Sequence, residues 1–366
     1  MNKVTIKEVA NEAGVSIATV SYVINQTRTV SDETAGRVKA AIKKLKYYPN
    51  RLVHTLKGKS IFTIGMIIPN IANETFGKLA GEIQIQLFEW GYDLIVCNTS
   101  YTMELEEKAL NSFMMKKVDA VIAIPSNYKC SKLGEISNAN IPVVLVDRIL
   151  QDVDLDTVFV DNFKGQYAIT SYIIRMGHRN IGYIDRIIEQ SHSNDQRNGY
   201  LTALRDNGIE PNPKYIEKAN GHYYMAGAEA GQTLIQRCPE ITAIACYYDP
   251  IAFGVIRGLV SLGYDVPKDV SVVGYDNMRF CEATVPALTT VDTPISEMAA
   301  ETCNLLKARL NEINSEQERQ PRQKVVLVPK LVIRESVKRL ETTRVKQPLR
   351  DKPARDKNNI KMEGAL

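Results

Sequence analysis

The first 46 residues carry apolar side chains at helical spacing, which predicts three short helices. Thr5 followed by Glu8 is a capping-box pattern, and Gly14 predicts the tight turn that ends the first helix. Ser16 and Ser31 are placed to cap the second and third helices. The recurring apolar positions are Ile6, Val9, Ala10 and Ala13, then Val20, Val23 and Ile24, then Val38, Ala41, Ile42 and Leu45. The pattern predicts a helix-turn-helix domain over residues 1–46.

From residue 61 the pattern changes to apolar, β-branched runs that alternate with helical stretches. Such runs predict strands of sheets that are covered on both faces. The predicted strands are Phe62–Ile68, Asp93–Cys97, Asp119–Ile124, Pro142–Val146, Asn180–Ile184, Ala243–Cys246 and Val270–Gly274. Two successive sets predict a small all-α headpiece followed by a two-lobed α/β core with doubly wound parallel sheets over 61–337. The cleft between two such lobes is the expected small-molecule site.

Residues 47–60 separate these two regions and predict a hinge and linker. Asn50 is placed to cap a short amphipathic run closed by Gly58, and a run this short is not helical alone in water. We therefore expect a segment that orders on binding. Beyond Ser336 the periodicity is lost, and residues 338–366 are predicted to be a basic, largely disordered tail. The tail lacks leucine heptads, which favours a dimer over a tetramer.

Composition narrows the class of protein. The chain has 366 residues, of which 44% are hydrophobic and 24% charged, and this profile excludes collagen and a small disulfide scaffold. No apolar run approaches the roughly 18 residues of a membrane span, and the first residues lack a signal peptide's apolar core. These features predict a cytoplasmic protein without a membrane partner.

The net charge of +4 is distributed unevenly along the chain. Residues 1–60 carry +7 and residues 338–366 carry +5, so that the segment between them carries −8. A basic head predicts contact with phosphate. The basic tail is interpreted either as a solvated extension or as added non-specific affinity for DNA.

Catalytic chemistry finds no support in the sequence. The six cysteines lie far apart, and the four histidines lack metal-ligand spacing. Gly58-Lys59-Ser60 has the end of a phosphate-binding loop but lacks its first glycine and a preceding strand. The sequence therefore predicts no enzyme, no metal and no cofactor.

The second predicted helix has an outward face that is small and polar enough for a major groove about 12 Å wide. Residues near the start of such a helix meet base edges, and its polar flanks meet phosphates. The candidate base-reading residues are Ile17, Ala18 and Tyr22. The candidate backbone contacts are Thr5, Ser16, Thr19, Ser21, Asn25 and Arg51. The alternative is that this face is simply solvated.

The segment Val4–Asn25, continued through Tyr48–Lys59, strongly resembles the headpiece and hinge of the LacI/GalR family of bacterial transcriptional regulators. The resemblance extends over about residues 3–337 through the motifs Ile67–Asn73, Gly177–Tyr183, Arg197–Tyr200, Val266–Asp276, Pro286–Val291 and Leu331–Ser336. It implies a homodimer on double-stranded DNA with a near-palindromic operator. It also implies that Leu56 enters the minor groove as an apolar wedge. The alternative for Leu56 is packing against the partner's hinge.

The resemblance also implies an effector cleft. Matched position by position, the implied effector-binding residues are Asn73, Thr75, Phe76, Asp147, Arg197, Tyr223, Tyr248, Asp249 and Asp276. An Arg fork opposed by carboxylates suits a polyol, whose hydroxyls both donate and accept. Arg197 and Asp276 could instead pair with each other, and Phe76 and Tyr223 could be ordinary core aromatics.

This chain departs from the family pattern at three positions in the headpiece and the core. Tyr22 stands where many members have Arg, which predicts a changed base preference, such as contact with the thymine methyl group. Tyr248 stands in place of Asn and Thr293 in place of Gln, so the cleft is predicted to be bulkier. The resulting hypothesis is a repressor of a carbohydrate-utilisation operon controlled by a sugar or sugar phosphate. The alternatives are a binding protein with a vestigial headpiece and a regulator with a protein cofactor.

Overall fold

The computed structural model describes residues 4–25, 28–47, 60–126, 129–186, 195–221, 223–315 and 320–340. The chain divides into two compact units. Unit 1 comprises residues 1–160 and 294–327, and unit 2 comprises residues 161–293 and 328–366. The hinge predictions for Arg51 and Leu56, and the tail from residue 341 onward, lie outside the described residues.

The N-terminal segment of unit 1 contains the three predicted helices: α1 (Ile6–Ala13), α2 (Ile17–Asn25) and α3 (Asp32–Leu45). Thr5 and Glu8 form the predicted capping box, and Gly14 ends α1 in a left-handed conformation with φ 64°. Val9, Val20 and Val38 are fully buried, one from each helix. The small core predicted from helical periodicity is therefore present.

The remainder of unit 1 is built on a six-stranded parallel sheet in the order β11-β5-β4-β3-β1-β2. Its strands are β1 (Thr63–Ile68), β2 (Asp93–Asn98), β3 (Ala120–Ala123), β4 (Val143–Val146), β5 (Asp156–Val160) and β11 (Lys324–Leu327). Its helices are α4 (Glu74–Glu89), α5 (Met103–Lys116), α6 (Ser131–Asn138) and α11 (Ile295–Ser315). The strand order reverses between β1 and β3, and open α/β sheets generally bind ligands outside the carboxyl ends of the strands at such a point.

Strand β1 shows why its apolar run is continuous. Ile64, Met66 and Ile68 lie in one hydrophobic cluster, and Ile67 lies in another on the opposite face. At Gly65 a Cβ atom would lie 2.6 Å from the Phe113 ring, so only glycine fits beneath α5. Both faces of this sheet are covered, as predicted.

Unit 2 contains a four-stranded parallel sheet in the order β7-β6-β8-β9. Its strands are β6 (Ile181–Arg186), β7 (Ile216–Ala219), β8 (Ala243–Cys246) and β9 (Ser271–Val273). A two-stranded antiparallel pair is formed by β10 (Thr290–Asp292) and β12 (Lys330–Val332). The helices are α7 (Asn162–Arg175), α8 (Asp195–Asp206), α9 (Tyr224–Arg237) and α10 (Asp249–Ser261), with short 3₁₀ turns at Pro213–Tyr215 and Arg279–Glu282.

The described part of the tail differs from the prediction. His178 is buried and its Nε2 lies 2.9 Å from the Lys338 carbonyl oxygen. The Lys338 amide donates to Ser271 Oγ at 2.9 Å, and the Leu340 amide donates to the Met176 carbonyl at 2.8 Å. Residues 338–340 are therefore held against unit 2 by long-range hydrogen bonds, which the local composition does not indicate. In the described ranges no helix is long and apolar enough to span a membrane.

Candidate functional site

The first candidate site is the outward face of α2. Ser16 caps this helix by accepting from the Thr19 amide at 3.0 Å, and the two hydroxyls lie 2.9 Å apart. Val20 points into the three-helix core, so the opposite side of the helix faces outward. Ile17 is 47% exposed, Ala18 is also exposed, and Tyr22 is half-buried. We call Ile17, Ala18 and Tyr22 the reading face.

The hydroxyl groups around this face are partly used within the protein. Ser16 and Thr19 have two hydroxyl protons, and their mutual hydrogen bond uses one, which leaves one for an external acceptor. The Thr5 hydroxyl donates to Glu8 Oε2 at 2.9 Å. Hydrogen bonds from the Thr5 amide and hydroxyl hold the pKa of Glu8 below its ordinary value. Ser21 is half-buried on α2, and the side chain of Asn25 lies outside the described part of the chain.

The second candidate site is the carboxyl edge of the unit 1 sheet. Asn73 caps α4, and its Oδ1 accepts from the amides of Thr75 at 2.9 Å and Phe76 at 3.3 Å. Phe76 is only 9% exposed and packs in the core beneath α4, so its assignment to the effector site is wrong and the core alternative holds. Asp147 follows β4 with φ 66° and is half-buried.

Two further polar residues, Asn98 and Arg148, lie at this edge and were missed by the sequence analysis. Asn98 ends β2, accepts from the Ile71 amide at 2.9 Å and donates to Ser100 Oγ at 2.9 Å. Arg148 donates to the Ser126 carbonyl at 2.7 Å. Polar residues directly after predicted strands were the available signal, because parallel strands end at one edge of a sheet.

The third candidate site is the carboxyl edge of the unit 2 sheet, which carries charged side chains. Arg197, in the first turn of α8, lies 3.7 Å from Asp185 at the end of β6. Asp185 is 8% exposed, and burial raises its pKa despite a hydrogen bond from the Arg186 amide and the nearby Arg197 charge. Burial also raises the pKa of Asp195, with a further contribution from the negative charge of Asp161. Asp185 was missed because it lies in a run otherwise typical of a strand.

Asp276 lies in the segment after β9 and is half-buried. It accepts from the Thr293 hydroxyl at 2.9 Å and has φ 103°. Thr293, identified as a departure from the family pattern, therefore contacts an implied effector residue directly. Its short hydroxyl orients the carboxylate.

The two tyrosines assigned to the effector site differ in exposure. Tyr223 is 57% exposed beside Gly221, so it is not a core aromatic. Tyr248 is largely buried and stacks on Tyr247 with ring centroids 6.2 Å apart. Tyr248 therefore contributes to packing at the start of α10, and of the two only Tyr223 offers an exposed aromatic face.

Asp249 is fully buried, and its assignment as an effector contact is wrong. Its oxygens accept from Thr290 Oγ1 at 2.6 Å, the Met278 amide at 2.8 Å and Cys281 Sγ at 3.2 Å. Burial raises its pKa to about 7. The carboxyl group joins α10 to the segment after β9, and a ligand has no access to it.

Comparisons with known proteins agree with this architecture. A family model for bacterial regulatory proteins of the lacI family matches residues 5–50, and one for the periplasmic binding protein-like domain matches residues 170–337. The chain is 33% identical over 343 residues to the HTH-type transcriptional regulator DegA of Bacillus subtilis, covering 93% of this chain and all of DegA. It is 32% identical over 336 residues to the HTH-type transcriptional repressor PurR of Actinobacillus pleuropneumoniae, covering 92% and 99%.

Solved structures show the same fold. The complex of the transcriptional regulator CelR with cellobiose has a TM-score of 0.68 and 26% identity, covering 91% of this chain and all of that one. A lac repressor dimer bound to operator and an anti-inducer has a TM-score of 0.78 at 23% identity, covering 92% and 100%. Together with the three-helix headpiece and the two parallel sheets, these similarities show that the chain belongs to the LacI family of DNA-binding transcriptional regulators.

Proposed function

We propose that this protein is a homodimeric repressor that reads a near-palindromic operator with α2. The observation that carries the proposal is the orientation of this helix, because Val20 is buried while Ile17 and Ala18 are exposed. A capped helix with its packed side inward presents base-reading residues near its start. The intact capping and core of the headpiece argue against a vestigial domain.

Phosphate contacts would set the register of this helix on the duplex. The one hydroxyl proton left by the Ser16–Thr19 pair lies at the N-terminus of α2, where the helix dipole also favours an anion. Arg51 and Leu56, outside the described residues, remain the proposed backbone and minor-groove contacts. The proposal therefore assigns position to the start of α2 and specificity to the reading face.

We propose further that the effector is a sugar or sugar phosphate. Arg197, whose guanidinium lies 3.7 Å from the Asp185 carboxylate, offers donors to hydroxyl groups, and the carboxylates of Asp195 and Asp276 in the same unit offer acceptors. Tyr223 adds an exposed aromatic face. Cellobiose in the related CelR complex supports a carbohydrate ligand, and the regulated genes are proposed to serve carbohydrate use.

A groove of about 560 Å³ on the α9 and α10 side of unit 2 is the proposed dimer surface. Its apolar lining includes Met225, Ile256, Val260 and Val285. Val285 is 94% exposed, and Glu229 and Arg257 place opposite charges in the same groove. A patch with both charges is self-complementary under two-fold symmetry, which favours a second copy of this chain as the occupant.

Light scattering after size-exclusion chromatography tests this surface. We expect Val260→Asp to produce monomers, because it places a charge in the apolar lining of the groove. Ile333→Asp is the matched control, since it changes an exposed apolar residue of unit 2 that does not line the groove. A dimeric Val260→Asp protein would contradict the assignment.

Footprinting on the DNA upstream of the protein's own gene tests the DNA-binding proposal. We expect a protected near-palindrome and a linear decrease of log K with log salt. A panel of sugars and sugar phosphates, added during footprinting, tests effector control. If no condition yields a protected palindrome, the proposal fails. If the palindrome is protected but unaffected by the panel, only the carbohydrate assignment fails.

A further inference from the structure

Arg28 lies three residues beyond α2 and contacts the reading face. Its guanidinium carbon is 5.1 Å from the centroid of the Tyr22 ring, within the range of a cation–π interaction. Arg28 is exposed, and no carboxylate in the described ranges forms an ion pair with it. The ring therefore holds the guanidinium group without using its N–H donors.

Arg28 supplies a guanidinium group, which α2 itself lacks. A guanidinium group is planar, and its rigid fork of donors matches the O6 and N7 acceptors of guanine in the major groove. Tyr22 has a single hydroxyl and cannot form this bidentate contact. We propose that Arg28 is a base-reading residue that contacts guanine, and that Tyr22 is its positioning residue. This assignment rests on the proposed function of α2.

The cation–π contact between Arg28 and Tyr22 favours a base over a phosphate as the partner of Arg28. A phosphate contact tolerates a freely rotating side chain, and the Ser16–Thr19 pair already provides a donor for the backbone at the helix start. Base reading instead requires a fixed plane, because both hydrogen bonds to guanine lie in the plane of the base. The Tyr22 ring restricts the motion of the guanidinium group on one side.

The experiment selects bound duplexes from a library with a randomised half-site, at fixed salt, with full-length protein. We expect the wild type to select guanine at one position in each half-site. Arg28→Ala should lose that preference, with affinity for the selected operator reduced on the order of ten- to a hundred-fold per half-site. Lys39→Ala is the matched control, since it removes an exposed headpiece charge away from Tyr22 and should weaken all sequences equally.

Two variants of Tyr22 test whether this residue positions Arg28 or contacts the base directly. Tyr22→Phe keeps the ring and should retain the guanine preference, whereas Tyr22→Leu removes the π face and should weaken it although Arg28 is present. Arg28→Lys keeps the charge without the fork and should also weaken the preference. Circular dichroism verifies that each headpiece is folded.

Three results would overturn the assignment. An unchanged selection with Arg28→Ala excludes base reading. A uniform loss on all sequences, with the salt slope lowered by about 0.9, identifies a phosphate contact instead. Wild-type protein that binds no duplex overturns the proposed function together with this inference, whereas the first two results leave DNA binding intact.

Discussion

Ser16 combines a structural and a proposed functional role, and substitutions at this position can separate them. Its hydroxyl accepts the Thr19 amide proton and so caps α2. Ser16→Ala removes the cap, which costs about 1 kcal/mol of headpiece stability. A loss of about 1 kcal/mol reduces the folded-to-unfolded ratio about five-fold. Asp is as good a cap as Ser and is also favoured by the helix dipole, so Ser16→Asp should retain stability.

The variants of Ser16 should rank differently in DNA affinity than in headpiece stability. Ser16→Asp places a carboxylate against the proposed phosphate and should weaken binding more than Ser16→Ala does. Fluorescence anisotropy with a selected operator over a salt series measures affinity, and hydrogen exchange of residues 16–25 measures headpiece stability. The salt slope should fall by about 0.9 for each phosphate that the protein no longer neutralises. Ser31→Asp is the matched control at the cap of α3, where Ser31 accepts from the Thr34 amide. Wild-type affinity and slope for Ser16→Asp would refute the phosphate contact.

Other side chains lead to three further predictions. Burial raises the pKa of Asp249 to about 7, so unfolding free energy should decrease as pH rises from about 4 to 7, by roughly 4 kcal/mol. Urea unfolding should show this pH dependence in the wild type but not in Asp249→Asn, and parallel curves would contradict it. The buried Asp156 carboxylate lies 2.7 Å from Arg309 Nε, and Arg309→Met removes this main partner. Urea unfolding should show a free energy of unfolding lower by about 3–5 kcal/mol. A loss below about 1 kcal/mol would mean that the pair is dispensable. Asp185→Asn frees Arg197 from a carboxylate 3.7 Å away and should raise affinity for a sugar phosphate relative to its parent sugar roughly five-fold in titration calorimetry. An unchanged ratio would show that Arg197 does not contact the phosphate.

Asp156 illustrates a buried charge that pattern analysis did not detect. Burial alone would raise its pKa, but hydrogen bonds from Arg309 and the Gln323 amide outweigh that effect and hold the pKa below its ordinary value. Arg322 adds a second ion pair at 3.1 Å. These partners lie more than 150 residues away along the chain, so no local pattern indicates them.

The sequence analysis missed strands β7, β10 and β12 for a similar reason. Strand β7 has the sequence Ile-Glu-Lys-Ala and lies at an edge of its sheet, so only one of its four residues is buried. Strands β10 and β12 are three residues long and pair across 38 residues or more of chain. Short or exposed strands lack the continuous apolar run that predicted β1 and β8.

The sequence by itself determined the features that depend on neighbouring residues. Helical periodicity, the Thr5–Glu8 capping box and the left-handed Gly14 involve contacts within four residues, and all are present in the structure. Tertiary structure decided which polar groups remain available to a ligand and which form hydrogen bonds within the protein. Asn73 is used as a cap, and Asp249 is enclosed by residues 29 to 41 positions away.

The pairing of charged and aromatic side chains was likewise decided by tertiary structure. The family pattern assigns Arg197 to an effector, but only the fold shows that Asp185 lies beside it. Tyr22 replaces an arginine of the family pattern, and only the fold places the guanidinium of Arg28 on its ring. Local periodicity encodes helices and strands because it depends on backbone geometry, whereas burial and pairing depend on which distant segments pack together.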